Sequence, residues 1–516
     1  MDPFHLPGFF PSKPLYDPFI DNPKGLPGHI LFPIFLILIA PSTLFFVLLV
    51  RQTSLRPSRK KTATILVIGD IGRSPRMMYH SSSLAKKGYE AWIIGYNETK
   101  PINDLIDNSN IHILPLIEPP KSLSILPWFI RAPIRVIYQI YSVIHLIIWV
   151  IPCNTEYLFI QNPPSIPTLA VAQFIVLNTG SKLVVDWHNT GYSILAMRLG
   201  MKSPIVKVAR WVEKTFGQSA YAHLFVTRAL EEFLVKEWQL EGRKAVLHDR
   251  PPSHFQHTSV PQQHDLFTKL LPMLSPSLPP SLIGEGDSIL FTQISSGEAQ
   301  LRSDRPALVV SSTSWTADED FSLLVTALDA YQISLNAGTD LPKLIVIITG
   351  KGGLRQAFEK IVQGRERTTW KDITVRCVFV PSEDYPTLLG SADLGVSLHS
   401  SSSGRDLPMK VVDMFGCGIP VLARKFGCIG ELVKDGKNGM VFEDGEEMGK
   451  QLINVMDGFP SSNKLDDLKK YFDKPQSSYP DATKSGKPGN PEDEWSTWDE
   501  NWDKVVYDGL LNTSRR

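Results

Sequence analysis

The residues whose types and spacing could do chemistry fall into two sets, one in each half of the chain. In the second half, Ser400–Gly404 is a hydroxyl-rich loop that runs through Arg405, Asp406, Leu407 and Pro408 into Lys410 and Asp413. Loop amides and the positive end of a following helix point at one spot, which suits a diphosphate. Ser403 and Gly404 would supply amides there. Lys410 opposes the helix dipole in the first turn, and a bound diphosphate would explain that placement. Asp406 and Asp413 suit sugar hydroxyls. An ordinary strand–loop–helix with a solvated lysine and two capping aspartates would have the same outline. Thr349-Gly350-Lys351-Gly352-Gly353 offers close backbone approach and a further cation. Ser312–Thr316, with Ser314 and Trp315, ends another apolar run. In the first half, Gly69-Asp70-Ile71-Gly72-Arg73 could bring Asp70 and Arg73 to a reacting sugar or a diphosphate, or Asp70 could simply cap a helix. Asp186-Trp187-His188-Asn189 places a candidate base or hydroxyl binder, His188, beside a carboxylate able to orient its ring, with Asn189 next to it. Asp70 and His188 are the alternative catalytic bases.

These groups need parallel strands to position them, because sites in such sheets form at the strands' C-terminal ends. Thr64–Asp70, a helix from Pro75 to Lys87, Gly88 as a stop and a strand Glu90–Gly95 read as β–loop–α–β, the opening of a Rossmann-like domain. The glycines lack the dinucleotide spacing. Tyr157–Ile160, Leu183–Val185 and His223–Thr227 read as further strands, with helices at Ile205–Phe216 and Ala229–Glu237. Leu308–Ser312, Lys343–Ile348, Thr374–Val380 and Asp393–Leu398 give a second α/β set. The expected division is a tail 1–29, an anchor 30–50, a first Rossmann-like domain 62–257, a Pro/Ser-rich interdomain segment 258–304, a second Rossmann-like domain 305–473, and a loose tail with a terminal helix, 474–516. A chain of 516 residues exceeds one ordinary core. The 53 basic and 53 acidic residues cancel, which gives no footing for nucleic acid. The four cysteines are scattered and read as reduced core residues. Ile30–Val50 carries no charge and has the length of a membrane span. Arg51, Arg56, Arg59, Lys60 and Lys61 follow it, so the positive-inside rule puts the remainder in the cytosol. Leu123–Ile151 is apolar but interrupted by Arg131, Arg135 and prolines, and reads as a membrane-lying amphipathic segment or a buried helix.

The run Ser403-Gly404-Arg405-Asp406-Leu407-Pro408-Met409-Lys410-Val411-Val412-Asp413 through Cys417-Gly418 resembles the nucleotide-sugar half of GT-B glycosyltransferases. With Gly-Asp-Ile-Gly-Arg-Ser-Pro-Arg and Asp-Trp-His-Asn, it resembles more specifically the chitobiosyldiphosphodolichol beta-mannosyltransferases of the endoplasmic reticulum. The common retaining pattern carries two glutamates; Arg405 stands at the first of these positions and Asp413 at the second, so retaining roles do not transfer. The resemblance implies a GT-B fold and mannose transfer from GDP-mannose to dolichol-diphosphate-linked GlcNAc2. It implies a β1,4 bond, inversion, and a place on the endoplasmic reticulum membrane as a single-pass protein, with other dolichol-pathway glycosyltransferases as partners. No Asp-x-Asp motif stands at a strand end, so a divalent metal is open but required by no visible motif. Another GT-B transferase of the same pathway, α-mannosyl or GlcNAc, and an inactive membrane-anchored scaffold are the alternatives.

Overall fold

A computed structural model describes residues 56–283, 288–316, 318–401, 403–472 and 496–512. The expected tail 1–29, anchor 30–50 and loose stretch 474–494 lie outside the described residues. The first sheet is built from β1 (Ser58–Asp70), β2 (Glu90–Tyr96), β3 (Ile111–Pro115), β4 (Asn154–Asn162), β5 (Lys182–Trp187), β6 (Ser219–Phe225) and β7 (Glu241–Val246). All seven are parallel, in the order β3-β2-β1-β4-β5-β6-β7. Strands covered on both faces read as continuous apolar runs, and Tyr157–Ile160 of β4 is buried throughout. The helices that matter here are α1 (Pro75–Lys86), α2 (Trp128–His145), α3 (Thr168–Thr179), α4 (Gly191–Leu199), α5 (Pro204–Gly217) and α6 (Arg228–Trp238). Pro75 suits the first turn of α1, and Gly88, at φ +77°, turns the chain out of it.

The described residues of the expected interdomain segment 258–304 are built into the second domain. They contain α7 (Val260–Leu270) and the hairpin β8 (Thr292–Ser295) to β9 (Glu298–Leu301). Leu266, Phe267, Leu270, Leu290 and Phe291 are buried in the core of the second domain. Arg302 Nη1 donates to the carbonyls of Leu282, Ile289 and Leu290 and so ties this segment down. The chain crosses between domains before it, through Pro251–Thr258. At Gly416 a Cβ would lie 2.5 Å from Pro251 Cβ, so a side chain there would push this crossing away.

The second sheet takes β10 (Ala307–Ser312), β11 (Leu344–Thr349), β12 (Ile373–Val378), β13 (Leu394–Ser397), β14 (Val421–Arg424) and β15 (Gly439–Phe442) in the order β12-β11-β10-β13-β14-β15, again parallel. Its cores lie on both faces. Here α8 (Phe321–Asn336) follows β10, and α9 (Met409–Gly416) follows β13. The last helix, α10 (Trp498–Trp502), continues in a wide turn to Leu511 and packs back on α1 of the first domain, with Trp498 and Trp502 buried.

Ile130–Val150 is long and apolar enough to cross a membrane. However, the strands on either side of it, β3 and β4, belong to one sheet, and Ser142–Ile144 and Leu146–Ile148 are buried. A segment rooted at both ends in one sheet does not span a bilayer. Its first half is the exposed part: Ile130, Ile137 and Tyr141 face outward.

Candidate active site

The C-terminal end of β5 carries a buried charge cluster. Asp186 has no exposed surface, and a lone carboxylate there would be costly. Arg76, from the first turn of α1, supplies the counter-charge: Nε donates to Asp186 Oδ2 at 2.7 Å and Nη2 to Oδ1 at 2.9 Å. The same guanidinium donates through Nη1 to Asp249 Oδ1 at 2.7 Å and to the Leu247 carbonyl at 2.8 Å. Two histidines complete the shell, with His188 Nε2 2.9 Å and His80 Nε2 3.3 Å from Asp186 Oδ2. Burial works against the charge on Asp186, but Arg76 and then His188 outweigh it and hold the carboxyl well below the usual range. An ionised carboxylate only accepts, so both histidines donate through Nε2. For His80 this agrees with Trp502 Nε1, which points at His80 Nδ1 from 2.9 Å. His188 is a quarter exposed. The expected pairing of Asp186 with His188 is thus present. Arg76, His80 and Asp249 were not anticipated as its support.

Asn189 Oδ1 accepts from Thr190 N at 2.8 Å, so its side chain shapes the loop behind His188. Asp70 is placed as a clamp for a neighbouring loop: Oδ1 accepts from the amides of Glu98 at 3.2 Å and Thr99 at 3.1 Å. Asp70 stands at the start of the short 3-10 turn Ile71–Arg73 and Ser74 at the start of α1, and neither caps through its side chain. Burial raises the Asp70 carboxyl, yet the Thr99 hydroxyl and the Thr99, Glu98 and Gly72 amides outweigh it, leaving a carboxylate weaker as a base than usual. Arg73 is exposed and 3.5 Å from Asp70.

In the second domain the expected loops meet. At Gly350, whose φ is +147°, a Cβ would lie 1.8 Å from the Thr313 carbonyl, and at Gly352 one would lie 2.2 Å from that of Ser314. Only glycine allows two strand-end loops to touch so closely. Glu319, which the sequence did not mark out, links the third loop. Its Oε2 accepts from Thr313 Oγ1 and, at 3.1 Å, from Ser314 N, while Oε1 takes Lys410 Nζ at 2.7 Å. Lys410 is therefore aimed along the mouth of these loops by a buried carboxylate. Lys351 Nζ rests 3.6 Å over the Phe379 ring. Asp406 Oδ1 accepts from Ser401 Oγ and, at 2.9 Å, from Ser403 Oγ, which folds the hydroxyl-rich loop on itself beside Gly404. Trp315 corrects its expectation. At φ +53° its ring turns into the core, 2% exposed, 4.5 Å from Phe321 and 5.6 Å from Phe358, and offers a ligand no surface.

The two halves join through charge. Burial, with a smaller push from Asp249, raises the Asp413 carboxyl to about 7. Glu431 caps α6 from the other domain, accepting from Arg228 N at 2.7 Å, Ala229 N at 2.9 Å and His248 Nε2 at 2.9 Å. Arg405, which had no expected role, stacks 3.7 Å over Phe233, and its carbonyl accepts from Thr227 Oγ1 at 2.6 Å. It holds the domains together.

Residues 307–457 match the family of glycosyl transferases group 1. The chain is 41% identical over 453 residues to the human chitobiosyldiphosphodolichol beta-mannosyltransferase, covering 87% of this chain and 92% of that one. It belongs to that family. The Dictyostelium discoideum protein of the same name is 38% identical, over 77% of this chain and 84% of its own. Among solved structures, the glycosyltransferase WaaG, of lipopolysaccharide biosynthesis, aligns with a TM-score of 0.53 at 12% identity, over 86% of this chain and 99% of that one. A Rickettsia africae glycosyltransferase aligns at 0.52 and 11%, over 88% and 100%. At such identities the likeness concerns the fold, which is GT-B. Within the family frame, the chain is a hexosyltransferase.

Proposed function

We propose that this enzyme transfers mannose from GDP-mannose to dolichol-diphosphate-linked GlcNAc2, forming a β1,4 bond with inversion on the cytosolic face of the endoplasmic reticulum, anchored by Ile30–Val50. The observation that carries the reading is the His188–Asp186 pair, in which His188 Nε2 stands 2.9 Å from a fully buried carboxylate and the ring is a quarter exposed. An α-linked donor yields a β product in one displacement. The acceptor hydroxyl oxygen attacks C1 of mannose, its proton passes to His188 Nδ1, and the C1–oxygen bond to GDP breaks. Asp186 then stabilises the imidazolium, the role a carboxylate has behind a catalytic histidine. The departing diphosphate takes up negative charge, which Lys410, Lys351 and the amides near Ser403, Gly404, Gly350 and Gly352 would offset. Asp413, poised near neutrality, suits a ribose or mannose hydroxyl, and Arg73 the acceptor diphosphate. Asp70, engaged by two amides, is the weaker candidate for the base.

The test uses detergent-solubilised full-length protein, radiolabelled GDP-mannose and a phytanyl-linked GlcNAc2-diphosphate acceptor, followed by β-mannosidase digestion of the lipid product. Released label supports donor, acceptor and inversion together. Label that resists digestion overturns the linkage, and an α-mannosidase-sensitive product would favour the α-mannosyl alternative.

A further inference from the structure

Among the described residues, the α4–α5 hairpin leaves an apolar surface exposed. Helix α5 buries Val206, Ala209, Glu213 and Gly217 at helical spacing against the domain. It has a second stripe, Ile205, Val208 and Trp211, which lies outward, with Trp211 61% exposed. Met197 and Leu199 at the end of α4, and Met201 in the turn, extend this stripe. Monomeric soluble proteins rarely expose such a contiguous patch without using it.

Charge decides what covers it. From Gly191 to Gly217 the cations are Arg198, Lys202, Lys207, Arg210 and Lys214, all exposed, and the only acid is Glu213, which is fully buried. Arg210 shares an ion pair with Glu237 of α6; among the described residues no ion pair engages the other four. Exposed apolar side chains interleaved with unpaired cations match the boundary of an anionic bilayer, with rings and methyls among the acyl chains and cations among headgroup phosphates.

The patch also lies in the same helical layer as the expected membrane-lying segment. The crossovers β3→β4, β4→β5 and β5→β6 all run one way along the sheet, so right-handed connections put α2, α3 and α5 on one face. In that layer α2 touches α3 and α3 touches α5. The hairpin is rooted at the site itself. Glu213 accepts from Asn162 Nδ2 at 2.8 Å, Gly191 N at 2.8 Å and Tyr192 N at 3.0 Å, pinning the start of α4 just after His188.

We propose that the α4–α5 hairpin lies on an anionic lipid leaflet and fixes the height of His188 above it, so that a lipid-held diphosphate sugar meets the base. It rests on the lipid-linked acceptor proposed above for its purpose, not for its geometry. The test labels full-length protein in proteoliposomes with an environment-sensitive fluorophore at Met201→Cys or Val208→Cys, and at Lys450→Cys on the second domain as the reference. The native cysteines are buried and should label little. Doxyl-labelled lipid should quench positions 201 and 208 several-fold more than 450, and more strongly with phosphatidylserine than with phosphatidylcholine alone. Equal quenching at all three positions would overturn the proposal, as would labels at 201 and 208 that are shielded from water but not quenched, which would put a protein on the surface. In parallel, Val208→Asp/Trp211→Asp should lower transfer to the phytanyl-linked acceptor in vesicles at least tenfold while leaving transfer to a short-chain water-soluble analogue in detergent unchanged. Equal loss on both acceptors would overturn it. Failure of the unsubstituted protein to transfer mannose to either acceptor would sink the functional reading alone, and lipid quenching would still judge the surface.

Discussion

Replacing Asp186 and Arg76, singly and together, separates what the buried carboxylate does for folding from what it does for His188. In Asp186→Leu, the guanidinium of Arg76, 5% exposed, would keep Asp249 at 2.7 Å and one carbonyl but lose both of its bonds to Asp186. Removing one partner of a buried ion pair costs about 3–5 kcal/mol. Arg76→Met should cost a similar amount, because Asp186 and Asp249 would both lose their partner in a buried site. Replacing both by apolar side chains removes the two charges of that pair, and such exchanges are often close to neutral, although Asp249 still loses Arg76, as it does in the Arg76 single variant. The His80 Nε2–H would still lose its acceptor, a penalty of about 1–3 kcal/mol. The double variant should therefore be more stable than either single one, with a coupling of about 3 kcal/mol or more. Activity should not follow. With Asp186 gone nothing fixes the His188 tautomer, and turnover should stay down by about 10²–10⁴-fold in both Asp186 variants. The assay pairs thermal unfolding in detergent with mannosyl transfer to the phytanyl acceptor. Recovery of turnover to within about tenfold of the parent in the double variant would refute the orienting role.

His188→Ala should lower kcat by about 10²–10⁴-fold with the KM for GDP-mannose unchanged, because the donor loops lie in the other domain; a risen KM with normal kcat in steady-state kinetics would contradict the base assignment. Asp413 has a folded value of about 7 against an ordinary 3.8, so unfolding releases its proton between these values and its ionisation erodes stability as pH rises through that window. Asp413→Asn should accordingly gain on the parent in melting temperature from about pH 4 to 7 and then level off, with an upper limit of about 4 kcal/mol; a difference that does not vary with pH would count against it. Glu431→Ala leaves two α6 amides and His248 without their acceptor, which should loosen the domain junction by about 2 kcal/mol. Small-angle scattering should then report a larger radius of gyration, and an unchanged radius would show that Glu431 does not hold the cleft.

The parts of the fold that could be read from the chain were those whose signals are local. The apolar runs of β10, β11 and β13 with their glycine-rich ends stand in sequence almost as they stand in space, and Asp186 and His188 lie two residues apart. What could not be read depends on long-range closure. Arg76 is 110 residues from Asp186, and Trp502 is 422 residues from His80. Glu319 and Glu431 look like any surface glutamate until their partners arrive. Trp315 was placed correctly at a strand end, but its positive φ turns it inward, which residue order alone does not reveal. Between 258 and 304, proline and serine hid the spacing of Leu266, Phe267 and Leu270. In α5 two apolar stripes have similar periodicity, and only burial tells which one is free.

The seating of Trp502 against His80 also sets an order of events in biosynthesis. The first domain leaves the ribosome well before α10 exists, with the outer surface of α1 bare and the Nδ1 of His80 lacking its donor. The second domain must emerge before the strap that reaches back to finish the first. A nascent chain would thus hold its charge cluster unsupported until the final helix docks. Competence for transfer then arrives as one late event, and chains that stop short of Trp498 should meet quality control before they meet substrate.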